Sequence, residues 1–363
     1  MTRTRTSLPF DHWPVIDRQL WAAAQTKGGL FEPDGKAAHW ADATRKQVEK
    51  GYAKWLGYLA LIRQLDPHIT PVARISPDRL RSYAQWMEES HLASTTLVSR
   101  MRDLREALRV MEPAADLALI QKVISALNAR ATPSRNKHSR IMHPEVLLAG
   151  TIRELSAIPE GVAPNPKIRA CWYRDALIFM FLICRPIRLK NVTELRIGTH
   201  LINKDTQWDC HLAAEETKEK APLSFTLPEL IGPYLSEYLE CYRPLLLGGR
   251  QGDHLWISIR RTPMSKQAVY DGICKLTERV FDKHINPHLL RDCAASAMAT
   301  DDPEHILAAA RILGHASLQT TNRHYNQSQM TAAGNILHEV LADLRNVPED
   351  NCSLHIPMGD WVR

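Results

Sequence analysis

The chain has 363 residues, and its 46 lysines and arginines against 40 acidic residues give a formal net charge of +6. This length suits two or three domains, and a hydrophobic content of 44% excludes a largely disordered chain. The mild basic excess is compatible with a nucleic-acid partner without establishing one.

The cysteines and the apolar segments argue against a disulfide-bonded, zinc-binding or membrane-spanning protein. The seven cysteines include no Cys-x-x-Cys pair, so we expect reduced thiols and neither a disulfide framework nor a zinc site. The longest apolar run, residues 176–184, is too short to span a bilayer and predicts a buried helix. The opening residues lack the apolar core of a signal peptide. We therefore expect a soluble cytoplasmic protein with no membrane contact.

Four amphipathic helices are predicted between residues 41 and 130. Apolar residues recur at helical spacing over about residues 41–65. Ser76 followed by Pro77 predicts the N-cap and first turn of a second helix. A third helix begins near Ser94, and a fourth covers about residues 115–129. We predict a small all-α domain at residues 41–130, preceded by an N-terminal arm, residues 1–40, of unclear role.

Basic residues mark two parts of this half of the chain. The third predicted helix carries Arg100 and Arg105 beside its apolar stripe, which suits DNA phosphate contacts or, equally, an ordinary bundle with solvated arginines. Residues 131–143 are polar, contain a proline and lack acidic residues, and they include Arg135, Lys137 and Arg140. This pattern predicts an interdomain linker, either a basic segment that crosses DNA or a plain flexible connector.

The second half of the chain mixes helices with a few short strands. Helices are predicted at residues 144–156, 167–184 and 228–247, from Ser265 as N-cap to about 281, and at 331–345. Strands are predicted at residues 197–203, 208–213 and 223–227. We therefore expect a mainly α fold with a small antiparallel β-sheet, with a second domain at residues 144–346 and a tail at 347–363.

A group of polar residues between positions 286 and 326 suits the binding of a phosphate. His288 and Arg291 stand at i and i+3 and would project from one face of a helix. Leu313-Gly314-His315 follows, and Tyr325 comes after a pair of threonines. Arginine offers a planar fork of donors to two phosphate oxygens, histidine moves protons near neutral pH, and tyrosine can act as a covalent nucleophile.

The order His-x-x-Arg, Leu-Gly-His and Tyr closely resembles the tyrosine recombinase (phage integrase) family. The resemblance covers roughly residues 41–346. It implies an N-terminal helical, SAM-like core-binding domain that clamps DNA, followed by an α+β catalytic domain. It also implies phosphoryl transfer without a metal, a cofactor or ATP. No Gly-x-x-x-x-Gly-Lys-[Ser/Thr], His-Glu-x-x-His or Gly-x-Ser-x-Gly motif supports an ATPase, a metalloprotease or an α/β-hydrolase.

The family pattern assigns six catalytic positions to this chain. The first catalytic arginine matches Arg188, after the helix at 167–184, and the mobile lysine of a β-hairpin matches Lys218, with Lys220 as the alternative. The other four positions are His288, Arg291, His315 and Tyr325, and Tyr325 is the nucleophile.

The sequence departs from the family pattern at three positions. Pro186 stands where a glycine is usual, Asn191 where an acidic residue normally braces the pocket, and Asp292 where a histidine often follows the second arginine.

The resemblance implies a site-specific recombinase that forms a 3′-phosphotyrosyl link with double-stranded DNA. Such an enzyme would be associated with the nucleoid. It would act on its recombination site as a homo-tetramer through exchange of its C-terminal helix, from free monomers or dimers. The three departures keep open a catalytically impaired, recombinase-derived DNA-binding protein. DNA relaxation of the type IB topoisomerase kind uses the same residues and also remains open.

Overall fold

The computed structural model describes residues 7–132, 138–158, 165–204 and 207–301. The chain divides into two compact units, residues 1–136 and 137–363, and the division falls inside the predicted linker at 131–143. Several predictions lie outside the described residues: the segment with His315 and Tyr325, the helix at 331–345, the tail, and the linker residues Arg135 and Lys137.

The described part of the first unit contains five α-helices. The four predicted helices are confirmed, with bounds that differ by a few residues. Ser76 caps the helix that begins at Pro77, as expected, since its Oγ accepts a hydrogen bond of 3.2 Å from the Arg79 amide. The helices are α1 (Val15–Gln25), α2 (Asp42–Leu61), α3 (Pro77–Glu89), α4 (Ser94–Met111) and α5 (Ala118–Arg130).

Helix α1 lies within residues 1–40, to which the sequence assigned no role. This helix contributes to the core of the first unit. Trp13 and Trp21 are each only 2% exposed. The Asp17 carboxylate accepts hydrogen bonds of 2.9 and 2.7 Å from the guanidinium of Arg74, and both side chains are fully buried. Tyr52 donates a further hydrogen bond of 2.7 Å to Asp17. The predicted arm, from residue 7 onward, is therefore part of the helical unit.

The second unit contains seven described α-helices around one core. The predicted helices at 144–156, at 167–184 and from Ser265 are confirmed by the helices Pro144–Ala157, Pro166–Cys184 and Lys266–Phe281. Ser265 Oγ accepts a hydrogen bond of 3.1 Å from the Ala268 amide. The helices are α6 (Pro144–Ala157), α7 (Pro166–Cys184), α8 (Leu189–Thr193), α9 (Gly232–Glu237), α10 (Arg243–Leu247), α11 (Lys266–Phe281) and α12 (Pro287–Asp301). A π-helical turn, Tyr238–Tyr242, joins α9 to α10.

A three-stranded antiparallel sheet completes this unit, and its strands lie side by side in chain order. The strands are β1 (Leu201–Lys204), β2 (Gln207–Leu212) and β3 (Leu223–Thr226). Leu201 pairs with Cys210, and Cys210 pairs with Phe225. The first strand begins four residues later than predicted because Gly198, at φ +79°, turns the chain before it. The expected mainly α fold with a small antiparallel sheet is confirmed.

Helix α7 forms the centre of the second core. Its residues from Ala176 to Leu182 are at most 1% exposed, which confirms that the long apolar run is a buried helix. Among the described residues, no helix combines the length and the apolar character that a bilayer crossing requires. Packing in the core of the second unit holds α7 in place up to its end, and Arg188, the first predicted catalytic arginine, follows shortly after it.

Candidate active site

Arg188 is positioned by the sharp end of α7. The helix stops at Cys184, and the next residues run extended until Arg188, which is the N-cap of α8. Pro186 and Ile187 are buried, so this short connection is held against the core. Arg188 is therefore presented by backbone that is fixed on both sides by helices.

The guanidinium of Arg188 binds the carboxylate of Glu219 side-on. Both terminal nitrogens of Arg188 donate to the two oxygens of Glu219. The Arg188 side chain is 29% exposed and that of Glu219 is 23% exposed, so the pair is largely shielded from water. A paired, bidentate contact of this kind is among the stronger hydrogen-bonded arrangements in proteins. It joins the connection after α7 to the segment between β2 and β3.

Arg291 reaches the same connection from α12. Its Nη1 donates to the carbonyl of Pro186, and the residue is 7% exposed. Burial, and then the charge of Arg188, lower the pKa of Arg291 to about 10, although Glu219 and Asp292 act in the opposite direction. The structure thus brings Arg188, Arg291 and Glu219 together, as the sequence predicted for the two arginines.

The start of α12 is fixed by two polar contacts. Asn286 Oδ1 accepts hydrogen bonds of 3.0 Å from the amides of His288 and Leu289, which makes it the N-cap of this helix. Just before it, the buried Thr277 Oγ1 accepts a hydrogen bond of 3.1 Å from the Ile285 amide. The register of α12, and with it the position of Arg291, is therefore set by backbone contacts within the unit.

His288 stands on the first turn of α12, three residues before Arg291, as predicted. Its side chain is exposed, whereas Arg291 is buried. The two residues therefore share a helix but differ in their access to water. The His288 imidazole is thus accessible from solvent, and its role in proton transfer stays a prediction from the family pattern.

The segment between β2 and β3, residues 213–222, is anchored near its beginning by Glu216. Its Oε2 accepts a hydrogen bond of 2.8 Å from the Ala213 amide, and its Oε1 lies 2.8 Å from Nε2 of the buried His200. His200 Nδ1 accepts from the Arg196 amide at 3.0 Å, so Nε2 carries the proton and donates to Glu216. The Glu216 carbonyl accepts a hydrogen bond of 3.1 Å from Asn191.

The tip of this segment is a tight turn between Thr217 and Ala221. Thr217 Oγ1 donates to the Ala221 carbonyl at 2.7 Å and accepts from the Ala221 amide at 3.2 Å. Lys220 adopts a left-handed conformation, with φ +53°. Lys218 and Lys220 are both exposed, while Glu219 between them faces Arg188. The predicted lysine is thus adjacent to the site but does not enter it in this arrangement.

The three departures from the family pattern have different structural settings. Pro186 contributes its carbonyl, which every residue type possesses, so proline can replace glycine in this contact. Asn191 is 5% exposed and acts as a hydrogen-bond donor toward the Glu216 carbonyl. Asp292 raises the pKa of Arg291 and thereby favours its charged form.

The predicted DNA-contacting arginines of α4 differ in their surroundings. Burial, and then the charges of Arg100 and Lys50, lower the pKa of Lys54, whereas Asp103 acts in the opposite direction. Arg105 is paired with Glu106 at 2.5 Å and also donates to Gln121. Arg100 therefore lies near other basic side chains, whereas Arg105 is paired with an acidic one.

In the second unit, Arg140 is partly buried, and its Nη1 donates a hydrogen bond of 3.3 Å to the His284 carbonyl. It thus contacts the chain just before α12. The other two predicted linker residues, Arg135 and Lys137, lie outside the described residues.

Sequence reasoning missed Glu219, Glu216 and His200. The one local feature of Glu219 was its place between two lysines in a short hairpin, which gave no sign of a contact with Arg188. His200 and Glu216 carried no motif. Among the described residues, no three histidine, cysteine or acidic side chains lie together in a way that could hold a metal ion.

The family model described as the phage integrase family matches residues 158–332. Tyrosine recombinase XerD of Neisseria meningitidis is 27% identical over 183 residues, which are 49% of this chain and 57% of that protein. The chain thus spans little more than half of that relative in this match. Tyrosine recombinase XerD of Staphylococcus aureus is 23% identical over 274 residues, 71% of this chain and 89% of that protein.

A solved structure resembles the fold as a whole. It is the crystal structure of XerH site-specific recombinase bound to palindromic difH substrate, a post-cleavage complex. The match has a TM-score of 0.55 and 14% identity, and it covers 92% of this chain and 99% of that one. At this identity the likeness concerns the fold alone.

Proposed function

Because this chain belongs to the tyrosine recombinase (phage integrase) family, we propose that it is a site-specific DNA recombinase that works through a 3′-phosphotyrosyl intermediate. The observation that carries the proposal is the meeting of Arg188 and Arg291. Two guanidiniums from distant parts of the sequence lie close together and shielded from water, and the Glu219 carboxylate pairs with Arg188. Such a place suits a phosphodiester, whose two non-bridging oxygens accept from arginine forks.

The reaction would begin with an in-line attack. The phenolic oxygen of Tyr325 forms a bond to phosphorus, and the bond from phosphorus to the 5′-oxygen breaks. His288 accepts the phenol proton, and Lys218 supplies a proton to the leaving 5′-oxygen. The products are a 3′-phosphotyrosyl ester and a free 5′-hydroxyl. Attack by a 5′-hydroxyl on this ester reverses the chemistry and rejoins the strands without ATP.

The two arginines would stabilise the charge that grows on the phosphoryl oxygens during this attack. Arg188 and Arg291 are fixed by the folded unit before substrate arrives, so little reorganisation accompanies the reaction. His315 would add a hydrogen bond to the same phosphate. Lys218 is exposed on its turn and would have to move inward.

Binding would use both units. Arg100, with its lysine neighbours, and Arg105, Arg135, Lys137 and Arg140 are the proposed contacts to the phosphates of a double-stranded recombination site. Strand exchange needs two sites held together, so we expect a homo-tetramer on DNA linked by the C-terminal helix. XerH, which shares the fold, has been solved with its DNA substrate bound.

A nicked suicide substrate tests the chemistry. A target site is first selected from random duplexes with the Tyr325→Phe variant, which would bind DNA without cutting it. Wild type should then form a covalent protein–DNA adduct on a denaturing gel, Tyr325→Phe should form none, and the control Tyr234→Phe should match wild type.

Two other results would change the proposal. Tight binding by wild type without any adduct would favour a recombinase-derived DNA-binding protein. An adduct that survives in Tyr325→Phe would assign the nucleophile to another tyrosine.

A further inference from the structure

Glu219 stands where the family pattern has no assigned residue, yet it contacts the first catalytic arginine directly. Its two oxygens take both terminal nitrogens of Arg188, the same fork that would grip a phosphate. The Glu219 side chain is 23% exposed, so water does not replace this contact freely. The terminal donors of Arg188 are therefore occupied by a carboxylate of its own chain.

The charge of Glu219 also acts on the second arginine. Arg291 is buried, and after burial the nearby charge of Arg188 lowers the pKa of Arg291. Glu219 counteracts this effect at Arg291 and pairs with Arg188. A carboxylate and a phosphodiester each carry one negative charge and two oxygens that accept from arginine. The two anions can therefore serve the same pair of cations in turn.

The attachment of Glu219 to the fold permits such an exchange. The segment is anchored at Glu216 by His200, the Ala213 amide and Asn191. The turn from Thr217 to Ala221 is closed by its own hydrogen bonds. Loss of the contact between Glu219 and Arg188 would therefore release this turn without breaking the anchor at its beginning.

We propose that Glu219 is a resident counterion of the Arg188–Arg291 pair, and that the scissile phosphate displaces it. The displacement frees the turn between Thr217 and Ala221 and lets Lys218 move from solvent toward the leaving oxygen. This inference rests on the proposed function, because it takes the two arginines as the phosphate site. According to this proposal, DNA binding causes Lys218, the proton donor, to move toward the leaving oxygen.

Anion binding to the isolated protein tests the counterion directly. Thermal unfolding is followed in inorganic phosphate and in chloride of equal ionic strength for wild type, Glu219→Gln and Glu219→Ala. Phosphate should stabilise both variants more than wild type, because the arginines have lost their own anion. The control Glu215→Gln removes one negative charge from an exposed position of the same segment and should match wild type. Equal responses of wild type and both Glu219 variants would overturn the proposal.

Cleavage at saturating protein separates displacement from simple bracing. With the suicide substrate, Glu219→Gln should bind DNA more tightly, on the order of tenfold, and cleave at least as fast as wild type. A slower cleavage step at saturation would mean that Glu219 holds Arg188 in its working position, and the displacement model would fail.

The two tests also distinguish this inference from the proposed function. If phosphate stabilises the Glu219 variants and no protein forms an adduct, the counterion stands and the recombinase proposal fails. If wild type forms an adduct and the Glu219 variants respond to phosphate as wild type does, the counterion inference alone fails.

Discussion

Asn191 Nδ2 donates a hydrogen bond of 3.1 Å to the backbone carbonyl of Glu216, and this bond ties α8 to the segment that carries Glu219 and Lys218. The position is 5% exposed. An acidic residue there, as in the family pattern, would face a carbonyl oxygen with an oxygen of its own. Asn191 is therefore matched to this chain's arrangement of the segment.

Asn191→Asp should destabilise the second unit by about 1–3 kcal/mol at neutral pH. The substitution removes the Asn191 donor and places a negative charge at a position that is 5% exposed and faces the Glu216 carbonyl oxygen. Denaturant unfolding measures the change, with Asn203→Asp in the exposed part of β1 as the control. A variant as stable as wild type would mean that this hydrogen bond does not hold the segment.

Arg188→Lys and Arg291→Lys should each lower the cleavage rate about a hundredfold or more. Lysine keeps the charge but loses the planar fork that binds two oxygens of one phosphate. The suicide-substrate assay measures the rate. Arg196→Lys is the matched control, since Arg196 is exposed and pairs with Asp253 at 3.2 Å. Near-normal rates in both lysine variants would show that charge alone suffices.

Lys218→Ala should slow the cleavage of ordinary DNA far more than Lys220→Ala does. A substrate with sulfur in place of the bridging 5′-oxygen should restore the rate of Lys218→Ala, because a thiolate leaves without a proton from an acid. Arg188→Lys should not be restored by this substrate. Rescue of Lys220→Ala instead would assign the acid to Lys220.

The buried pair in the first unit should dominate the stability of that unit. Arg74→Met leaves Asp17 without its charged partner in a fully buried place and should cost about 3–5 kcal/mol. Tyr52→Phe removes only one hydrogen bond to Asp17 and should cost about 1 kcal/mol. Denaturant unfolding compares the two variants. A larger loss in Tyr52→Phe would reverse the order expected from charge.

Glu216 should make the anchor of its segment sensitive to acid. The backbone amide of Ala213, and then the hydrogen bond from His200, lower the pKa of Glu216 below its ordinary value of 4.5. A carboxyl whose folded-state pKa is lowered stabilises the fold above its unfolded pKa and loses this contribution as the pH falls through the folded value.

We would test this acid sensitivity by measuring the free energy of unfolding of wild type and Glu216→Gln between pH 6 and pH 3. The difference between the two proteins should be largest near pH 6 and should shrink below about pH 4.5. A difference that stays constant to pH 3 would mean that the carboxylate does not contribute through its charge.

Local patterns predicted most of the described helices, and contacts between distant residues account for what was missed. Ser76 and Ser265 were recognised as N-caps because capping depends on neighbours three residues away. The long apolar run predicted α7 for a similar local reason. By contrast, Asp17 joins Arg74 across 57 positions, and nothing near Asp17 marks it as buried.

In the candidate site, too, local motifs were recognised in the sequence and long-range contacts were missed. Arg188 and Arg291 were found because each belongs to a short motif, and the structure brings them together. The side-on contact between Arg188 and Glu219 spans 31 positions and depends on how β2 and β3 are connected. His315 and Tyr325 lie outside the described residues, so their place in the site remains a prediction from the family pattern.

The hydroxyl of Thr277 holds the backbone that leads into α12. It donates to the Cys274 carbonyl at 3.1 Å and accepts from Ile285 at 3.1 Å, so it joins α11 to the residue that precedes the cap of α12. The backbone that carries Arg291 therefore loses its conformational entropy when the chain folds. DNA then meets an arginine whose backbone is already ordered, and the free energy of binding is not diminished by ordering it.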